Sequence, residues 1–73
     1  MEQTEILRTV GLNLRAARMR AGLSQEELGL STGLDRTYIS GIERGVRNPT
    51  VLALAKVARG LGVSVSDLVA AIP

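Results

Sequence analysis

Cysteine and histidine are both absent from this 73-residue chain. That excludes disulfide staples, thiolate zinc sites and imidazole ligands, and it leaves neither a cysteine nucleophile nor a histidine general base. Phenylalanine and tryptophan are missing as well. Tyr38 is the one aromatic residue, so the core must be aliphatic. No apolar run is long enough to span a bilayer. The amino terminus, MEQTEILRTV, opens with acidic residues and lacks the pattern of a secretory signal. A soluble cytoplasmic protein without membrane contact is expected. No Gly-rich loop carrying a lysine is present to hold a nucleotide phosphate, and Gly60-Leu61-Gly62 reads as a helix stop. The seven carboxylates fall mostly near expected helix starts, where they favour the helix dipole. These gaps point away from an enzyme, and neither a cofactor nor a metal is expected.

Hydrophobic residues make up 45% of the chain, which argues for an ordered fold rather than disorder. The length suits one small domain over residues 1–73. There is no linker, repeat or low-complexity segment. No period-two alternation suggests a strand, whereas glycines and capping residues divide the chain into five helical segments at roughly 4–21, 24–32, 35–44, 50–61 and 64–71. The fold class is therefore all-α. In the first segment Ile6, Leu7, Val10, Leu14, Ala17 and Ala21 share one arc, beside an arc of Arg8, Arg15 and Arg18. In the fourth, Val51, Leu54, Ala55, Val57, Ala58 and Leu61 are expected to point together, with Lys56, Arg59 and an isolated Leu52 elsewhere.

The most informative stretch is LSQEELGLSTGLDRTYISGIERG, Leu23 to Gly45. Ser24 and Glu27 have capping-box spacing, and Leu23 and Leu28 suit a hydrophobic staple. Gly33 supplies a left-handed helix stop, and Asp35 caps the next helix. Two short helices around a Gly-containing turn form a helix-turn-helix unit, at about 24–44, whose second helix enters the DNA major groove.

Net charge is only +2, but its distribution is uneven. Arg8, Arg15, Arg18 and Arg20 occupy a segment without acids. Arg36, Arg44, Arg47, Lys56 and Arg59 share theirs with Glu43 alone. Folding could gather this charge on one face, as a polyanion requires. On the third helix Ile39 and Ile42 should face inward, with Arg36, Thr37, Ser40 and Arg44 outward. The first residues of such a helix reach base edges. Arg36 suits a bidentate contact to guanine, and Thr37 a thymine methyl or base edge. Tyr38 reads equally as a base contact or as a half-buried packing residue. Arg47, in the following loop, suits either a phosphate or a base. Gln25, Ser40 and Asn48 are candidate backbone contacts. Arg18 is another, with a competing role in tying the first helix to the third through Glu43.

The fifth helix repeats the capping device of the second, with Ser64 and Asp67 as the box and Val63 and Leu68 as the staple. It is short and almost wholly apolar. One side can cover the domain core, and the other is expected to meet a second copy of the chain. Val63, Val65, Leu68, Val69 and Ile72 are the expected homodimer interface, on a dimerisation helix at about 64–72.

The positions Gln25, Glu26, Leu28, Gly33, Ile39, Ser40, Glu43, Gly45 and Pro49 make the chain resemble the lambda-repressor-like, or Xre, helix-turn-helix family. The likeness runs on through LALAKVARGLGVSVSDLV. Within that family, LDRTYISGIERGVRNPT looks most like the controller proteins of bacterial restriction–modification systems. The resemblance implies a five-helix lambda-repressor-like domain, a homodimer joined through its last helix, and a pseudo-palindromic double-stranded operator. It also implies base contacts at Arg36, Thr37, Tyr38 and Arg47, and backbone contacts at Arg18, Gln25, Ser40 and Asn48. Activation at low dose and repression at high dose would follow, with RNA polymerase as a further partner. Glu26 and Glu27 are candidates for that contact, with capping duty as the alternative. Two positions depart from the family pattern. Gly29 stands where Ala is usual, implying a slightly less stable second helix, and Leu52 replaces a polar residue. A phage-type repressor, an antitoxin and a protein-interaction module are the other readings of this fold.

Overall fold

A computed structural model describes all 73 residues. Five helices follow one another: α1 (Gln3–Arg20), α2 (Gln25–Thr32), α3 (Arg36–Glu43), α4 (Val51–Leu61) and α5 (Val65–Leu68). The starts of α2 to α5 are explained by their caps. Ser24 Oγ accepts from Glu27 N at 3.0 Å, while Glu27 Oε1 accepts from Ser24 N at 2.9 Å. Ser64 and Asp67 repeat this arrangement at 3.0 and 2.9 Å. Asp35 Oδ1 accepts from Thr37 N at 2.7 Å, and Thr50 Oγ1 from Ala53 N at 3.0 Å. Gly33 ends α2 with φ +76°, a conformation that residues bearing a Cβ rarely adopt.

The core is aliphatic. Leu14, Leu28, Ile39, Ile42, Val57 and Leu68 are fully buried, joined by Val10, Ala17, Leu54 and Ala58. Burying one such large side chain contributes roughly 1.5–3 kcal/mol, so few of them can be lost from so small a domain. Helix α1 packs on α3 and α5, and α4 packs on α2 and α5. On α4 the buried stripe is Ala53, Leu54, Val57 and Ala58. Val51, grouped with them by spacing, is 77% exposed, and Ala55 is exposed as well. No helix is long and apolar enough to cross a membrane.

The carboxyl end differs from expectation. Helix α5 stops at Leu68 instead of reaching residue 71 or 72, and Val69 to Ala71 form turns, with Ala71 at φ +72°. Asn13 of α1 caps this end. Its Nδ2 donates to the carbonyls of Leu68 at 3.1 Å and Ala70 at 2.8 Å. A continuing helix would give the Leu68 carbonyl to Ile72 N instead. Leu68 is also fully buried in the chain's own core. It has no surface left for a second copy, and its placement in a dimer interface is corrected accordingly. Val63, Val65, Val69 and Ile72 pack on the core but remain half-exposed.

Candidate nucleic-acid interface

Helix α3 divides by exposure along its length. Ile39 and Ile42 are buried, Arg36, Thr37 and Arg44 are exposed, and Ser40 is intermediate. The cap at Asp35 sets the first turn, so Arg36 and Thr37 project from the amino end of the helix. Beside them lies a shallow polar cleft of about 190 Å³, lined by Gln25, Arg36, Thr37 and Ser40. Four residues singled out from sequence thus meet around one depression between α2 and α3. Arg47 and Asn48 are exposed in the loop between α3 and α4. Arg44 Nε donates to Ser40 Oγ at 3.4 Å, which lays one more cation along α3.

Tyr38 is half-buried against the core, and its hydroxyl accepts from Thr50 N at 3.4 Å. Its packing role therefore has a definite geometry: it braces the α3–α4 loop at the start of α4. The partly exposed ring and the hydroxyl remain at the edge of the α3 surface.

Arg18 and Glu43 form the one ion pair of the chain. Arg18 Nε donates to Glu43 Oε2 at 2.6 Å and Nη2 to Oε1 at 2.9 Å, while Nη1 donates to the Leu23 carbonyl at 2.9 Å. Gln25 Nε2 donates to the same Oε1 at 3.1 Å. Side-chain exposure is 14% for Arg18 and 4% for Glu43. The hydrogen bonds to Glu43 hold the guanidinium still more firmly protonated than usual, against a smaller opposing effect of burial. Three of the five guanidinium N–H groups are thereby engaged inside the protein. The network ties α1 to α3 and aims the Gln25 amide.

This pairing removes one negative charge from the exposed part of the α3–α4 segment. Between Arg36 and Ser66 the only acid is Glu43, and it is buried and neutralised. Every exposed formal charge over that stretch is positive: Arg36, Arg44, Arg47, Lys56 and Arg59. Sequence reasoning missed two positions that shape the site. Asn13 was signalled only by being a poor helix former in mid-helix, where an asparagine often serves a tertiary partner. Gly41, inside α3, carried no separate signal.

Comparison with known proteins agrees with this geometry. The helix-turn-helix family model matches residues 14–68. An HTH-type transcriptional regulator of Sinorhizobium fredii, y4dJ, is 43% identical over 65 residues, spanning 89% of this chain and 84% of that protein. The control protein C.BamHI of Bacillus amyloliquefaciens is 42% identical over 59 residues, 80% of this chain and 73% of its own. The crystal structure of the restriction–modification controller C.AhdI from Aeromonas hydrophila superposes with a TM-score of 0.82 at 42% identity, covering 85% of this chain and 94% of that one. These relatives are regulators, not enzymes. The chain belongs to the Xre-like helix-turn-helix transcriptional regulators, with restriction–modification controller proteins among its close homologues.

Proposed function

We propose that the chain is the controller protein of a restriction–modification system, binding a pseudo-palindromic operator as a homodimer. The observation that carries this reading is the exposed amino end of α3, with Arg36 and Thr37 beside the Gln25–Ser40 cleft and the exposed cations Arg44 and Arg47 further along the same helix and its following loop. Arg36, Thr37 and Arg47 read base edges, with Tyr38 touching a base from the flank. Gln25, Ser40 and Asn48 hold phosphates. Arg18 adds a phosphate contact through an N–H left free by Glu43. Two copies joined through Val63, Val65, Val69 and Ile72 set their α3 helices about 34 Å apart, one turn of DNA. Occupancy of two adjacent operators then converts rising dose from activation to repression. The polymerase contact falls to Glu26, which borders an open groove with the 80%-exposed Leu30. Glu27 is engaged in the capping box.

Footprinting upstream of the chain's own gene, across a range of protein concentrations, tests the reading. Protection of two half-sites one helical turn apart is expected. No protection there, or no restriction or methyltransferase gene nearby, overturns it. Arg36→Ala should lower affinity for the protected site about tenfold or more while sparing random DNA. Equal losses on both would remove Arg36 as a reader.

A further inference from the structure

We propose that Gly41 is a specificity-positioning residue: it never touches DNA, but its missing side chain seats the stem of Arg47 on α3 and thereby aims the guanidinium. The inference rests on Arg47 reading bases.

The geometry begins with the end of α3. Gly45 adopts φ +75°, its N–H donates to the Ile42 carbonyl at 3.0 Å, and Val46 N donates to the Gly41 carbonyl at 3.0 Å. That is the Schellman arrangement, which turns the chain back across the last helical turn. Arg47 N joins the same Gly41 carbonyl at 3.2 Å. One carbonyl thus holds the backbone of both residues that leave the helix.

The side chain of Arg47 lies over the same residue. A Cβ built on Gly41 would overlap Arg47 Cγ and sit 3.4 Å from its Cβ and 3.5 Å from its Cδ. The stem therefore occupies the place a side chain at position 41 would take. Gly41 is buried under it, although Arg47 itself is exposed. Arginine carries a long flexible stem whose rotamer freedom must be given up when its guanidinium is held in place. A seat for that stem confines the guanidinium to one side of α3 before DNA arrives, which is preorganisation of a contact. Glycine inside a helix is otherwise unfavourable relative to alanine. Its presence within the exposed-charge stretch is explained by the space it leaves.

Alanine at this position separates aim from stability. Alanine favours the helix, whereas its methyl group must push the Arg47 stem to another rotamer. The test uses the full chain, its Gly41→Ala and Arg47→Ala variants and the double variant. Each selects from a duplex library with a randomised centre, and the bound pool is sequenced. Arg47→Ala is expected to flatten base preference at one set of positions. Gly41→Ala should flatten the same set, and the double variant no more than either. Preference for the wild-type motif over a scrambled duplex should fall about tenfold in each, with binding to scrambled duplex and the melting temperature of Gly41→Ala undiminished.

Selection of the wild-type motif by Gly41→Ala while Arg47→Ala loses it would overturn the proposal. So would flattening at other positions, a further loss in the double variant, or a sharply lowered melt. If Arg47→Ala itself selects the wild-type motif, the base-contact reading of Arg47 fails first, and the two failures are told apart.

Discussion

Glu43 illustrates how one side chain can act through its neighbours. A carboxylate between Arg36 and Arg47 would weaken a phosphate-binding surface if exposed. Buried against Arg18 and Gln25, it instead fixes both. Removing one partner of such a pair leaves a buried charge uncompensated, at a cost of about 3 kcal/mol or somewhat more. Arg18→Ala is therefore expected to lower stability by about 3 kcal/mol, read from the urea midpoint at unchanged slope. A loss below about 1 kcal/mol would mean that water reaches Glu43 and relieves it. Gly29 is a second case. From sequence it reads as a small weakness in α2. In the fold it is buried, and an added Cβ would stand 2.8 Å from the Leu34 carbonyl oxygen. That oxygen belongs to the backbone of the helix-turn-helix turn and cannot rotate aside. Gly29→Ala gains about 1 kcal/mol of helix propensity against about 1–3 kcal/mol of overpacking. A lowered melting temperature is expected, and a raised one would show that the turn yields easily.

Two helix starts carry carboxylates whose ionised form is favoured by the fold. The Glu27 carboxylate accepts from the Ser24 backbone N–H and Asp67 from that of Ser64, and each is held below the ordinary carboxylate range by that bond. A folded-state value below the unfolded one stabilises the fold when the group is ionised. The contribution is complete above about pH 5 and fades as pH falls past about 4. Melting temperature followed from neutral pH to pH 3 should fall in that acid window. A Glu27→Gln, Asp67→Asn variant should fall less, because its amides keep the capping contacts without titrating. Identical acid slopes would place the loss at other groups. The end of α5 behaves differently from its start. A local capping box marks where it begins, whereas the carbonyls at its end are capped by Asn13, 55 residues away from Leu68.

In the proposed dimer, assembly would draw on apolar residues at the carboxyl end that also pack on the monomer core. Leu68 serves the monomer core, whereas Val69 and Ile72 keep exposed area. Two aspartate substitutions should separate these roles. Leu68→Asp should unfold the chain, with loss of helical circular dichroism, because a carboxylate cannot be buried there unpaired. Val69→Asp should leave the helices intact and convert the proposed dimer to a monomer in sedimentation. An intact dimer in that variant would move the interface elsewhere. An unfolded one would show that Val69 is a second core anchor.

Five helices, their caps and the inward faces of α1 and α3 were legible because each depends on residues within about one turn of one another. Ser24 with Glu27, Asp35 with Thr37 and Gly33 with its left-handed backbone are local chemistry, complete in a short window of sequence. The outward set on α3 followed from the same periodicity. What needed the folded chain are the contacts between distant segments. Burial of Glu43 against Arg18 leaves cations as the only exposed formal charges from Arg36 to Arg59. The Asn13 amide caps the end of α5, and Leu68 is drawn wholly into the core. The spaces at Gly29 and Gly41 are filled by the Leu34 carbonyl and the Arg47 stem. Spacing along a chain ranks which residues share a face, but it carries no record of what a neighbouring element will place against that face.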